Sequence, residues 1–490
     1  THERAISAEE IMNSLKSEPA QILSKVAAAH VALLAAILVT QLASAPLSLA
    51  QAADNNPLTP KYLIGDAVSL SNKSYPEIEK AIQRFRNRDA IGAQEYLVTA
   101  KEKYPKLAPP DVMMAKMQVL VRNARAVLFY LERAAKDHPE DPEAFLMLAD
   151  LAFKSQRTAE SLALFEYAAP LVENFTENSK RKQKFNVRVL AGRAAVAERR
   201  QEWEKAKAYL EQWLEIDPDN ALAHTRMGIV HFRLDQAKES LAEFSKAREI
   251  NPDVPHPFVS LGQLFYANGD NEKARKSFEK AYSENESDAK IAQAYAEWLI
   301  QQDELDKAQE IASTLRELEP NSTNALLLDG IVAYMQGQSD RAEQTLQKVL
   351  SLEPRNARAT DLMALLLIKS ENVKDRERAL QYAQNNAERL TNNSQANITY
   401  AYVLYELGRK NEAQQSLAKM GKMSPQPDST YLIAKILVGE GQLEKAISTL
   451  EKVTEQKQGL IIFRREAEEL LNQLKASGGG TTGESSAEGN

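Results

Sequence analysis

Shifting the chain against itself by 34 residues brings small and apolar positions into register over most of its length. Copies of the unit begin at residues 74, 108, 142, 187, 221, 255, 289, 323, 357, 394 and 427, with an 11-residue insertion before 187 and 3 extra residues before 394. Such a period constrains the fold more than any composition can, because each copy is one supersecondary unit that buries its apolar face only against its neighbours. Position 8 of the unit is small throughout: Ala81, Ala115, Ala149, Ala194, Gly228, Gly262, Ala296, Gly330, Ala364, Ala401 and Ala434. Position 20 is small at Ala93, Ser161, Ala206, Ser240, Ala274, Ala308, Ala342, Ala413 and Ala446. Two helices approach closely only where side chains are small at the crossing, so the two columns predict a helix hairpin.

Position 24 is bulky, with Leu97, Leu131, Phe165, Leu210, Phe244, Phe278, Leu346, Leu417 and Leu450, and is expected to fill the space between neighbouring hairpins. Prolines at position 32, such as Pro218, Pro252, Pro320 and Pro354, end helices, and Gly269, Gly337, Gly408 and Gly441 at position 15 mark the turn inside the hairpin. With 18 glycines and 19 prolines in 490 residues, a many-turned β fold is disfavoured, and the absence of cysteine excludes thiol nucleophiles, thiolate metal sites and disulfides.

The unit resembles the tetratricopeptide repeat, which runs W-x2-L-G-x2-Y, then A-x3-F, A and P over two helices. The copy at 255 supplies Phe258, Leu261, Gly262, Phe265, Ala274, Phe278 and Ala281, and the copy at 221 supplies Met227, Gly228, Ser240, Phe244, Ala247 and Pro252. Position 4 departs from the family's Trp in every copy, and Phe145, Phe258 and Leu326 provide bulk there. The resemblance covers about four-fifths of the chain and implies an all-α fold, a right-handed superhelical solenoid of antiparallel helix pairs over residues 74–460. The amphipathic stretch Leu460 to Leu474 is expected to cap it as a helix over 461–475, before a Gly/Ser-rich tail at 476–490.

At the other end, Val26 to Thr40 form a 15-residue apolar run behind Lys25, followed by small residues and an A-x-A site at Ala50 to Ala52. This anatomy makes residues 1–52 an export segment with its apolar core at 26–40, and Met12 the expected native start, with residues 53–73 a lead-in. Val26 to Leu49 spans 24 residues and could instead cross a bilayer of about 30 Å as an uncleaved anchor. Either way the remainder is expected outside the cytoplasm, in the periplasm or cell envelope, touching a membrane only if that segment is kept.

Little in the chain points to chemistry. His224 and His231 lie seven apart on one helix, roughly 10 Å along its axis, too far for one metal ion, and fall at core positions. No Walker, H-E-x-x-H, G-x-S-x-G or dinucleotide signature occurs, so no catalytic residue, cofactor or metal is assigned. From Lys180 to Lys207 ten basic residues face three acidic ones, in a chain of net charge −7. Lys180, Arg181, Lys182, Lys184 and Arg188 are its candidate basic patch, for lipid headgroups, an acidic protein or an anionic polysaccharide; the plainer reading is a solvated inserted loop.

In the tetratricopeptide family the groove is lined by the first helix of each unit at positions 2, 5, 9, 12 and 13. Position 12 is mostly apolar or aromatic here and position 13 often basic, giving Phe153, Lys154, Arg199, Phe232, Arg233, Tyr266, Tyr334 and Tyr405 as candidate residues for an extended peptide, with partial burial between helices as the alternative. The Lys at position 5 and Asn at position 9 that hold a chaperone's carboxylate in some members are absent. The expected function is a non-enzymatic scaffold of a cell-envelope assembly, secretion or polysaccharide-export system. The alternative is an accessory or regulatory subunit of an envelope glycosyltransferase. Protein or peptide partners are expected, and nucleic acid is disfavoured by export and by net negative charge.

Overall fold

The computed structural model describes residues 58–64, 75–391, 393–418, 425–456 and 460–478, so the export segment and the tail lie outside the described residues. The described residues are helical throughout, without a strand. None of these helices is long and apolar enough to cross a membrane. The chain divides into two compact units, 1–251 and 252–490.

In the first unit a short α1 (Pro60–Ile64) precedes α2 (Pro76–Arg86), α3 (Ala90–Lys103), α4 (Pro110–Leu120), α5 (Ala124–Asp137), α6 (Pro142–Lys154), α7 (Thr158–Asn174), α8 (Ser179–Arg199), α9 (Trp203–Ile216), α10 (Ala221–Arg233) and α11 (Ala237–Ile250). The second unit holds α12 (Pro257–Ala267), α13 (Asn271–Glu284), α14 (Ala289–Gln301), α15 (Leu305–Leu318), α16 (Thr323–Met335), α17 (Ser339–Leu352), α18 (Ala357–Leu367), α19 (Val373–Arg389), α20 (Ser394–Glu406), α21 (Lys410–Ala418), α22 (Pro427–Gly439), α23 (Leu443–Glu455) and α24 (Arg464–Gly478). From α2 to α23 the helices pack as consecutive hairpins.

Local chemistry starts many of the helices. Asp89, Asn220 and Asn356 accept hydrogen bonds from the Gly92, Ala223 and Ala359 amides at 2.8, 3.0 and 2.9 Å, satisfying donors that a helix N-terminus leaves open. Proline enters in the first turn of α2, α4, α6, α12 and α22, where its missing N–H costs nothing. The turn inside ten of the eleven hairpins takes a left-handed residue at position 15, the copy at 357 with Glu371 being the exception. Glycine supplies it at Gly269, Gly337, Gly408 and Gly441, but Arg88, Arg122, Gln156, Gln201, Asp235 and Asp303 adopt positive φ of 56 to 62° at the same position. The turn is therefore far more regular than its glycines suggest.

The small columns are buried where expected, with Ala81, Ala149, Ala296 and Ala434 at position 8 fully inaccessible. The bulky position 24 plays a closer role than filling gaps between hairpins. Phe244 and Phe278 press on Gly228 and Gly262 of their own hairpins, and Leu346 on Gly330. Phe165 does reach the next hairpin, where Gly192 leaves it room. The insertion before 187 forms no loop: it lengthens α7 to 17 residues and α8 to 21.

Candidate functional site

The candidate peptide-binding residues lie near the C-terminal ends of the first helices of their hairpins, and the two units treat them differently. In the first unit Phe153 ends α6, and the Arg199 guanidinium from α8 lies 3.8 Å from its ring centroid while Nη1 donates to the Phe153 carbonyl at 2.8 Å. Lys154 beside it is exposed. Phe232 is buried at the end of α10, and the exposed Arg233 reaches over the Trp203 ring at 5.9 Å. Arg199 and Arg233 thus lie against aromatic rings of the preceding hairpin, a partly exposed alternation of rings and cations.

In the second unit Tyr405, at the end of α20, packs on the backbone of Gly439 and under the Lys410 ammonium, 5.3 Å from its ring centroid. Tyr266 is half-buried at the end of α12, where burial pushes its hydroxyl up and Arg464 pulls it back. Tyr334, at the end of α16, is only 6% exposed. Burial pushes its hydroxyl well above the usual range, and Lys369 lies 4.4 Å from its ring centroid.

Tyr334 is covered from within the chain. Phe463 lies edge-on to it at 6.1 Å and stacks on Tyr431 of α22 at 5.0 Å with ring planes 22° apart. Asp428 Oδ1 accepts from the Ile462 and Phe463 amides at 2.8 and 3.1 Å. Burial pushes the Asp428 carboxyl up to about 6, against the two amides and Arg358, which lower it. The segment preceding α24 therefore crosses the inner ends of α14, α16 and α22. The sequence expectation of a helix over 461–475 is corrected here: the helix starts at Arg464, and Leu460 to Phe463 lie outside it. Asp428 and Tyr431 stand at positions 2 and 5 of the copy at 427, so the family pattern carried the signal, although only positions 12 and 13 supplied candidate residues.

The basic patch is corrected as well. Arg181 is 5% exposed and donates to Asp141 Oδ2 at 3.0 Å and Glu143 Oε2 at 2.8 Å. Burial raises the Glu143 carboxyl, but Lys116, at 2.5 Å, and Arg181 overcome it and hold the group down at about 2. Arg188 pairs with Asp150, its Nε donating at 2.9 Å, and Lys182 Nζ donates to the Glu173 carbonyl at 2.5 Å. Lys180 and Lys184 are exposed. The lengthened α8 turns Arg181, Lys182 and Arg188 toward partners on neighbouring helices, two of them in ion pairs and one on a backbone carbonyl. His224 is likewise structural: its Nδ1 lies 2.6 Å from Glu243 Oε2 and its Nε2 2.9 Å from the Pro218 carbonyl. Among the described residues no group of three His, Asp or Glu could hold a metal ion.

Comparison with known proteins agrees with this architecture. The tetratricopeptide repeat family models match residues 123–174, 189–255 and 427–459, and the model for the cytochrome c-type biogenesis protein H TPR domain matches 251–358. A TPR repeat-containing protein, MJ1428, of Methanocaldococcus jannaschii is 24% identical over 191 residues, which is 37% of this chain and 33% of that protein. The human mitochondrial import receptor subunit TOM70 is 23% identical over 167 residues, 32% of this chain and 28% of its own. The chain thus spans about a third of the length of these curated relatives. The crystal structure of yeast Tom70 aligns over 83% of this chain and 96% of its own at 15% identity, with a TM-score of 0.37. On the repeat pattern, the helix hairpins and these family matches, the chain belongs to the tetratricopeptide repeat family.

Proposed function

We propose that this chain is an exported, non-enzymatic scaffold that holds protein partners of a cell-envelope assembly, secretion or polysaccharide-export system. The observation that carries this reading is the pairing of aromatic and basic side chains of successive hairpins in the first unit, Phe153 with Arg199 and Trp203 with Arg233, partly open to solvent. Rings and guanidinium groups of this kind concentrate binding energy at protein interfaces. The apolar run at 26–40 supports export. The family model matched at 251–358 is named for a biogenesis protein, which is in keeping with an assembly role.

The test is affinity capture of the full chain from a cross-linked envelope fraction of its host, beside an Arg199→Ala, Arg233→Ala variant. The expected result is a stable protein partner recovered with the wild type and depleted with the variant. Recovery of no partner, or equal recovery with both chains, would count against the scaffold. N-terminal sequencing of the mature chain tests export, with Ala53 expected as first residue after cleavage.

A further inference from the structure

A terminal cap needs only to cover α23, and Ala467, Leu471 and Leu474 of α24 do so, packed with Ala446, Leu450 and Val453. Residues Ile461 to Arg465 do something more. Gln301 Nε2 donates to the Ile461 carbonyl at 3.3 Å, 160 residues away in sequence, and Gln301 Oε1 accepts from Arg464 Nε at 3.3 Å. Arg465 pairs with Asp303 at 3.2 Å. With Asp428 on two successive amides and Phe463 between Tyr334 and Tyr431, side chains of the groove read the main chain, one aromatic ring and two guanidinium groups. Peptide segments are recognised by this combination of main-chain bonds and side-chain pockets.

The fit is incomplete. Tyr334 Oη is buried without a hydrogen-bond partner among the described residues, and so is Glu466 Oε2. The Arg465–Asp303 pair has side chains 48% and 44% exposed, where an ion pair is weak.

We propose that the C-terminal ends of α14 and α16 and the first turns of α22 form a binding site for a peptide segment in which two aliphatic residues and an aromatic residue precede a basic pair at the start of a helix, and that residues 461–465 are its resting, displaceable occupant. A peptide that brings an acceptor to Tyr334 Oη gains a bond that the resident segment does not make. Tethering keeps the resident segment at an effective concentration on the order of millimolar, so only a peptide that outcompetes it enters. This inference rests on the scaffold reading and adds regulation to it.

The probe is a fluorescein-labelled synthetic peptide of residues 458–468, titrated into the full chain and followed by anisotropy. A Phe463→Ala, Arg465→Ala chain, which keeps the capping residues of α24, is expected to bind it at least tenfold more tightly than wild type. Adding Asp428→Asn and Tyr431→Ala is expected to abolish binding. Equal affinity of wild type and the Phe463→Ala, Arg465→Ala chain, or binding by neither, overturns the proposal. Hydrogen exchange on the unsubstituted chain gives a second readout independent of any folding defect. Excess peptide is expected to expose the 461–465 amides while α23 stays protected, and unchanged exchange, or joint exposure of α23, contradicts a displaceable occupant. Partners captured through the first unit beside a failure here would leave the scaffold standing without its latch. Peptide displacement without any captured partner would do the reverse.

Discussion

Gly228 and Phe244 face each other across one helix hairpin so closely that a Cβ on the glycine would stand 2.7 Å from the ring's Cε1. The ring occupies the space of the missing side chain, and Phe244 is only 3% exposed. Gly330 makes a looser version of the same contact, with Leu346 Cδ2 3.2 Å from the Cβ position. Gly228→Ala is therefore expected to destabilise its hairpin by about 1–3 kcal/mol through overpacking. Gly330→Ala should cost less, because a leucine methyl gives way more readily and alanine is the better helix former by about 1 kcal/mol. Chemical denaturation of the two variants checks the order, and a larger loss for Gly330→Ala would refute it.

The left-handed turn residue offers the opposite test. Arg122, Gln156 and Gln201 are exposed and hold φ of 56, 61 and 59°, a conformation that costs a side-chain-bearing residue about 1–2 kcal/mol. Glycine there relieves that strain but loses more chain entropy on folding. The expected net gain is up to about 1 kcal/mol per site, read as a raised Tm of the triple variant. Asp235→Gly should gain less, since aspartate tolerates this region better.

Burial of Arg181 between Asp141 and Glu143 predicts a stability phenotype where a surface patch would show none. Arg181→Ala leaves the enclosed Asp141 carboxylate without its cation and Glu143 with Lys116 alone, and is expected to cost about 3–5 kcal/mol. Lys180→Ala and Lys184→Ala should stay within about 0.5 kcal/mol. The fluorescence of Trp203 and Trp213, both in the first unit, reports the unfolding midpoint. Glu143, held near 2, adds stability that is present above its usual 4.5 and disappears as pH falls toward 2. Wild type should accordingly lose more stability than Glu143→Gln between pH 5 and 2.

Asp361 behaves in the opposite sense. It is 3% exposed, and burial pushes its carboxyl from 3.8 up to about 7, against Asn386, which donates at 2.8 Å, and Arg389. The folded chain holds this proton at pH values where the unfolded chain has released it, so stability falls as pH rises from about 4 through 7. Asp361→Asn keeps an acceptor for Asn386 and removes the buried charge. It is expected to stabilise the second unit at pH 8 by at most about 4 kcal/mol, with the difference fading toward pH 4. Trp298 fluorescence during denaturation at the two pH values measures it, and a pH-independent difference would exclude the mechanism.

Position by position, the sequence by itself determined the hairpins. Alanine and glycine at position 8, alanine and serine at position 20, bulk at position 24 and proline at position 32 each act within one unit or on the next, so a 34-residue period carries them. The left-handed turn was half legible: glycine announces it at Gly269, but Gln201 adopts the same φ because the surrounding helices impose it. Tertiary structure alone decided the rest. Arg181 reads as one more cation in a basic run until Asp141, 40 residues earlier, is brought beside it. Leu460 to Phe463 read as the start of an amphipathic helix until Gln301, 160 residues from Ile461 in sequence, and Asp428 receive them. Periodicity specifies contacts between neighbouring units, whereas burial of a charge and occupation of a groove depend on which distant groups the stacked helices bring together.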